Sequence, residues 1–201
     1  MRRQLIMVLL GIPVLLLLAM PVHSRQDDPR LDELFLTLQE TRDPATARIT
    51  MSKIWEVWFE AGDELLDQFM SRGRSAMAAG QLAEALANFD QAIAMDPKYA
   101  EAWNQRATIY YFMGNLEGSS HDAEQTLALE PRHFGALSGL GLIHIRKGEL
   151  EQAISWFEQA LAVNPHSASS RKNIEWVKQK LQQNIATTHS DPNVLVAPEQ
   201  V

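Results

Sequence analysis

Between Leu66 and Pro165 one pattern of apolar and polar positions is written three times with a period of 34 residues. In the first copy Phe69, Gly73 and Ala76, then Ala85, Phe89 and Ala92, precede Pro97. In the second, Trp103, Ala107 and Tyr110, then Ser119, Ala123 and Thr126, precede Pro131. In the third, Leu137, Gly141 and His144, then Ala153, Phe157 and Ala160, precede Pro165. Each half of a copy has the spacing of one helical face. Gly80, Gly114 and Gly148 separate the halves, each followed by a polar residue and a leucine. The prolines lack an N–H and clash with the preceding turn, so each second helix stops there. The eighth and twentieth places of every copy are small, which lets helices approach closely. A fixed period of this length predicts stacked helix–turn–helix units over residues 66–99, 100–133 and 134–167.

The flanks follow the same logic less regularly. Residues 25–30 are polar and read as a flexible segment. Leu31, Leu34, Phe35 and Leu38 then fall on one helical face. Asp43-Pro44 starts a second helix, with apolar positions at Ile49, Ile54, Trp55, Trp58 and Phe59, and Ala61-Gly62 ends it. A shift of 34 puts Phe35 in phase with Phe69 and Trp55 in phase with Phe89. Residues 31–65 therefore read as a divergent helix pair in register with the array, serving as its end unit. Trp55 and Trp58 either fill core against the first repeat or form an exposed aromatic surface for a partner. Past Pro165, residues 168–183 predict one capping helix, with Ile174, Val177 and Leu181 on its packed face and Trp176 at the edge. Residues 184–201 carry two prolines and little periodicity and read as a disordered tail. The whole is an all-α, right-handed α-solenoid.

Arg2 and Arg3 precede a charge-free apolar run from Leu5 to Met20, and Val22-His23-Ser24 follows. This is the layout of a signal peptide over residues 1–24, cleaved after Ser24, or near Ala19 as the lesser site. An uncleaved anchor is the alternative. Spanning a bilayer needs about 20 apolar residues, and this shorter run is interrupted by Gly11 and Pro13. The paired arginines lack the rest of a twin-arginine motif, so the general export route and a periplasmic location are expected, with no membrane insertion after cleavage.

Composition narrows the chemistry. With no cysteine there is no disulfide, thiolate site, cysteine nucleophile or lipoprotein anchor. A net charge of −7 without basic runs disfavours nucleic acid, whose binding rests on phosphate neutralisation. No two histidines stand at helical ligand spacing, so no metal is expected. No nucleophile motif or phosphate-binding glycine loop is present, so neither a cofactor nor an enzyme activity is expected. Glu149 and Glu151 read as electrostatic caps of a helix start.

The three in-phase units resemble the tetratricopeptide repeat family, with departures at Ser119 and Ala123 in the second. More narrowly, the Leu31–Phe35 stretch, the Ile54–Trp58 segment and Pro131–Leu137 look like small exported alphaproteobacterial repeat proteins. The resemblance implies a curved array whose first helices line the concave side. It puts Arg74 and Met77 on that surface in the first repeat, Asn104, Gln105, Thr108 and Tyr111 in the second, and Leu142 and Arg146 in the third. Such a groove suits an extended peptide: Asn104 and Gln105 could bond its backbone, and Arg74 or Arg146 an acidic group. The alternative is that these are solvated or packing residues. The family's grip on a C-terminal carboxylate uses places that here hold Met70, Arg74, Gln105, Gly135 and Gly139, so that clamp is absent. Gly135, Gly139 and Gly141 serve close approach of a neighbouring helix or of a ligand backbone. The resulting expectation is an exported, non-enzymatic scaffold for a protein or peptide partner. The alternative is a membrane-anchored envelope assembly factor.

Overall fold

A computed structural model describes residues 28–189; the expected signal segment and most of the expected tail lie outside them. Among the described residues there are nine helices and no strand. They are α1 (Arg30–Glu40), α2 (Pro44–Phe59), α3 (Glu64–Ala78), α4 (Leu82–Met95), α5 (Ala100–Met113), α6 (Leu116–Leu129), α7 (Phe134–Lys147), α8 (Leu150–Val163) and α9 (Ala168–His189). From α3 onward each helix packs chiefly on its neighbours in sequence, giving an all-α solenoid of three helix pairs closed by α9. The capping helix expected to end at Gln183 runs on to His189.

Each repeat closes as its punctuation predicts. Gly114 and Gly148 sit at φ 80° and end α5 and α7 in the left-handed conformation that glycine adopts without steric cost. The second helices stop two residues before each proline. There Asp96, Glu130 and Asn164 stand in phase, and each side chain accepts the N–H two residues on, at 2.9, 2.9 and 3.1 Å. This Asx-like turn satisfies a donor that the ended helix leaves open.

Inside the outer repeats a phenyl ring fills the space between the paired helices. Phe89 and Phe157 are fully buried. A Cβ on Gly73 would stand 2.5 Å from the Phe89 ring, and one on Gly141 2.6 Å from the Phe157 ring. The middle repeat has Ala107 and Ala123 at these two places. It is tied instead by Arg106, whose Nε and Nη2 donate to both carboxylate oxygens of buried Asp122 while Nη1 reaches Asp90, linking α4, α5 and α6. Hydrogen bonds from Asp122, then Asp90, hold the guanidinium above its ordinary range against the cost of burial.

The first helix pair departs from the expected stacking. Arg30 does not belong to a flexible segment: it opens α1 and is held by Asp28 and Glu60. The loop after α2 turns at Gly62, φ 76°, and the hairpin α1–α2 folds across the turns that join the repeats instead of stacking as an end unit. Trp58 is 1% exposed and stacks on the His133 ring at 4.1 Å. Its carbonyl accepts the Tyr99 hydroxyl at 2.9 Å. Trp55 meets His133 and Phe134 edge-on and presses on Gly135, where a Cβ would stand 2.8 Å from its ring. Arg132 lies over Phe35 and pairs with Asp32. Trp58 is thus core and Trp55 partly buried beside it, both between α2 and the later repeats.

Under Trp58 lies a buried polar network centred on Glu101, in which Trp58 Nε1 and Gln105 Oε1 have no hydrogen-bond partner. His133 accepts the Ala136 N–H at Nδ1, capping α7, so Nε2 carries the proton and donates to Glu101 at 2.9 Å. Asn104 donates to the same carboxylate oxygen at 3.1 Å and Gln105 to the other. Glu101 and His133 are 1% and 0% exposed, and a buried carboxylate is tolerable only with such partners.

Two outcomes follow from this packing. Trp58→Ala should cost about 3–5 kcal/mol and loosen α2 so that trypsin cuts after Arg48 and Lys53, which are exposed but helical in the wild type, while the repeats stay helical by circular dichroism. Within α7, Gly141→Ala should destabilise because its Cβ meets the Phe157 ring. Gly139→Ala, whose Cβ meets nothing within 4 Å, should stabilise by about 0.5–1 kcal/mol. Melting of the two variants measures both signs.

Candidate functional site

The hairpin divides the inner face of the repeats into a covered half and an open half. Glu101, Asn104 and Gln105 stand in the first turns of α5, at inner-face places, yet all are buried. The amides of Asn104 and Gln105 are engaged by Glu101, so they hold the network beneath Trp58. Arg74 lies with its guanidinium 4.5 Å from the Phe59 ring at the end of α2. Met77 packs against the core of the first repeat. The half nearest the N-terminal ends of α5 and α7 is thus filled from within the chain.

The open half lies toward the other ends of the same helices and gathers the remaining candidates. Thr108, Tyr111 and Leu142 line one cavity of about 200 Å³ between α5 and α7. Phe112 stands at its rim, 59% exposed. Gly139 lies at the mouth, and the floor is Ala107, Ser119 and Ala123. Arg146 is not part of the lining but is held against Tyr111: its guanidinium sits 4.7 Å from the Tyr111 ring, and Nη1 donates to the Tyr111 carbonyl at 2.7 Å. One planar face and one donor are thereby fixed, which orients the cation instead of leaving it to swing.

The two aliphatic hydroxyls of this cavity are bonded within the chain. The Thr108 hydroxyl donates to the Asn104 carbonyl at 3.0 Å and the Ser119 hydroxyl to the Ala107 carbonyl at 2.8 Å. Nothing in the lining is an acid or a base. The place suits apolar contact and carries no acid–base or nucleophilic group.

Charge on the later part of the inner face is one-sided. Asp67, exposed at the start of α3, accepts the Ala61 N–H at 2.9 Å, and Glu101 is buried. The exposed cations in the same 34-residue frame are Arg146 on α7 and Lys172 and Lys180 on α9. Between these two lysines stands Trp176, 45% exposed, with the Lys180 ammonium 5.9 Å from its ring. Outside the groove, Glu149 makes no side-chain cap for α8; its carboxylate meets His144 at 2.6 Å.

The three glycines of α7 divide by neighbour. Gly135 admits Trp55, Gly141 admits Phe157, and Gly139 faces open space. Trp176, read from the sequence as standing at the edge of the last helix, is 45% exposed there; sequence reasoning missed the Glu101–His133 pair. Tyr99 and His133, in phase just before two helix starts, were the available signal.

The repeats match two family profiles, one described as Tetratricopeptide repeat over residues 104–168 and one as TPR repeat over residues 73–114. A TPR repeat-containing protein of Rhizobium etli is 36% identical over 99 residues, 49% of this chain and 48% of the relative. The chain thus spans about half the length of that relative, whose source fits the narrower likeness to alphaproteobacterial proteins. Among solved structures, the Sgt2 TPR domain from Aspergillus fumigatus gives a TM-score of 0.59 at 23% identity, covering 69% of this chain and 92% of the domain. The first TPR domain of Spaghetti (RPAP3), bound to an HSP90 peptide, gives 0.57 at 20% identity over 58% of this chain and 95% of its own. At these identities the likeness is one of fold. With three in-phase helix pairs, matching profiles over residues 73–168 and a repeat-containing relative, the array is a tetratricopeptide-repeat-type α-solenoid.

Proposed function

We propose that the chain is a non-enzymatic interaction scaffold that holds an extended segment of a protein partner in the open half of its inner face. The observation that carries this reading is one apolar cavity lined by Tyr111 and Leu142, with Arg146 held against Tyr111, on a surface that the hairpin α1–α2 leaves uncovered. A related fold, the first TPR domain of Spaghetti, is bound to an HSP90 peptide, which supports peptide holding as a use of such surfaces. The residues of the carboxylate clamp are absent here, so the grip differs. Tyr111 offers a ring and Arg146 a fixed cation, while Asn104 and Gln105 contribute by holding the covered half in place.

Export belongs to the same proposal. The layout of residues 1–24 supports a periplasmic scaffold freed by cleavage. Retention of that segment would make the chain a membrane-anchored assembly factor with the same groove. The mass of the N-terminal peptide of the native protein separates the two: a start at Arg25 supports the first, and retained Arg2 and Arg3 the second.

The groove has its own test. Crosslinked affinity capture from the native envelope should recover a partner with the wild-type chain. Tyr111→Ala combined with Arg146→Glu should lower that recovery at least about tenfold, the loss expected for one well-buried contact, with melting nearly unchanged. Recovery that survives both substitutions would move the binding surface elsewhere on the chain.

A further inference from the structure

The three repeats are internal controls for one another, and their comparison marks a place where a side chain is missing. The eighth and twenty-fourth places hold Gly73 and Phe89 in the first repeat and Gly141 and Phe157 in the third. Both rings are wholly buried against their glycines. The second repeat has Ala107 and Ala123 there, and the surrounding helices do not collapse onto them. The cavity of about 200 Å³ stands directly over these two alanines. A void of about 150 Å³ is enough to bind benzene.

The void opens toward the inner face because α7 carries Gly139 at the mouth, with no neighbour within 4 Å of where a Cβ would be. The Thr108 and Ser119 hydroxyls are bonded within the chain, so the walls offer mainly apolar contact. At the inner-face places of α7 and α9 the exposed charge is basic: Arg146, held against Tyr111, and Lys172 and Lys180 on either side of Trp176 in sequence. This contrasts with the chain's net charge of −7.

We propose that the cavity between α5, α6 and α7 is an anchor pocket that takes one aromatic side chain of an extended acidic peptide. The ring fills the space that Phe89 and Phe157 fill in the flanking repeats. Carboxylates beside it in sequence meet Arg146 and the α9 lysines. The inference rests on the groove reading above and adds to it the residue type read and the charge around it.

A random eight-residue peptide library displayed on phage, selected on the full chain, tests this. Two variants close the pocket from opposite sides. Ala107→Gly with Ala123→Phe rebuilds the glycine–phenylalanine pair of the other repeats from the floor. Gly139→Leu plugs the mouth without a backbone clash. The expected result is enrichment of peptides with one aromatic residue flanked by Asp or Glu, bound about tenfold or more weakly by both variants. The floor variant should melt no lower than wild type, so its loss of binding cannot come from unfolding.

Peptides that depend on Tyr111 and Arg146, but show no aromatic preference and bind both variants as before, would overturn the pocket and leave the groove reading intact. Failure to enrich any peptide dependent on Tyr111 and Arg146 would overturn both. Self-association of the chain that both variants abolish would give the pocket to a second copy and overturn the peptide assignment.

Discussion

Trp58 holds the N-terminal hairpin against the repeats, and the shape of the inner face depends on that contact. Its indole stacks on His133, whose two nitrogens are committed, one to the α7 helix start and one to Glu101. Glu101 in turn holds Asn104 and Gln105. Five side chains from α2, α5 and the turn before α7 thus form one unit that excludes water and leaves the carboxylate fully partnered. Burial of this kind is favourable only when complete, because a single missing donor strands a charge in an apolar setting. The consequence is geometric. An array that would be open along its whole inner face keeps only the half toward the ends of α5 and α7.

The second constraint is the economy of the middle repeat. A phenyl ring links the helices of the first and third repeats, whereas the Arg106 cluster links those of the second from the other side, through Asp122 and Asp90. This cross-link keeps α5 and α6 together without a ring between them. The space between α5 and α7 therefore persists as a cavity. Stability of the repeat and availability of the pocket are assigned to different residues, so either can change with limited effect on the other.

Most of the architecture was legible because it is local and periodic. The glycine turns, the proline stops and the small eighth and twentieth places each act within one 34-residue unit, and each stands in phase three times. The hairpin was not legible. Its contacts join residues 41 apart, as Tyr99 to Trp58, or 113 apart, as Asn164 to Met51, and nothing in the spacing encodes them. The phase match of Trp55 with Phe89 pointed toward ordinary stacking, but the turn at Gly62 redirects the chain. Of the candidate residues, Asn104, Thr108, Tyr111 and Leu142 line one cavity with Arg146 beside Tyr111, whereas Gln105 and the Asn104 amide nitrogen are drawn to Glu101. Helical phase shows which side of a helix a residue occupies, not whether a distant segment will cover it. The Ala123 substitution was visible as a packing departure; that its neighbours leave the space open is a property of the folded array.

The central claim is that a partner occupies only the uncovered half of the inner face while the hairpin stays seated. Amide hydrogen exchange of the full chain, alone and with its partner bound, reads this directly, since protection follows local opening. The account predicts new protection in residues 108–113 and 139–146 with no change in residues 54–59 and 101–105. Faster exchange in α2 on binding, with protection arriving at residues 101–105, would mean that the partner displaces the hairpin, and would contradict the division of the groove described here.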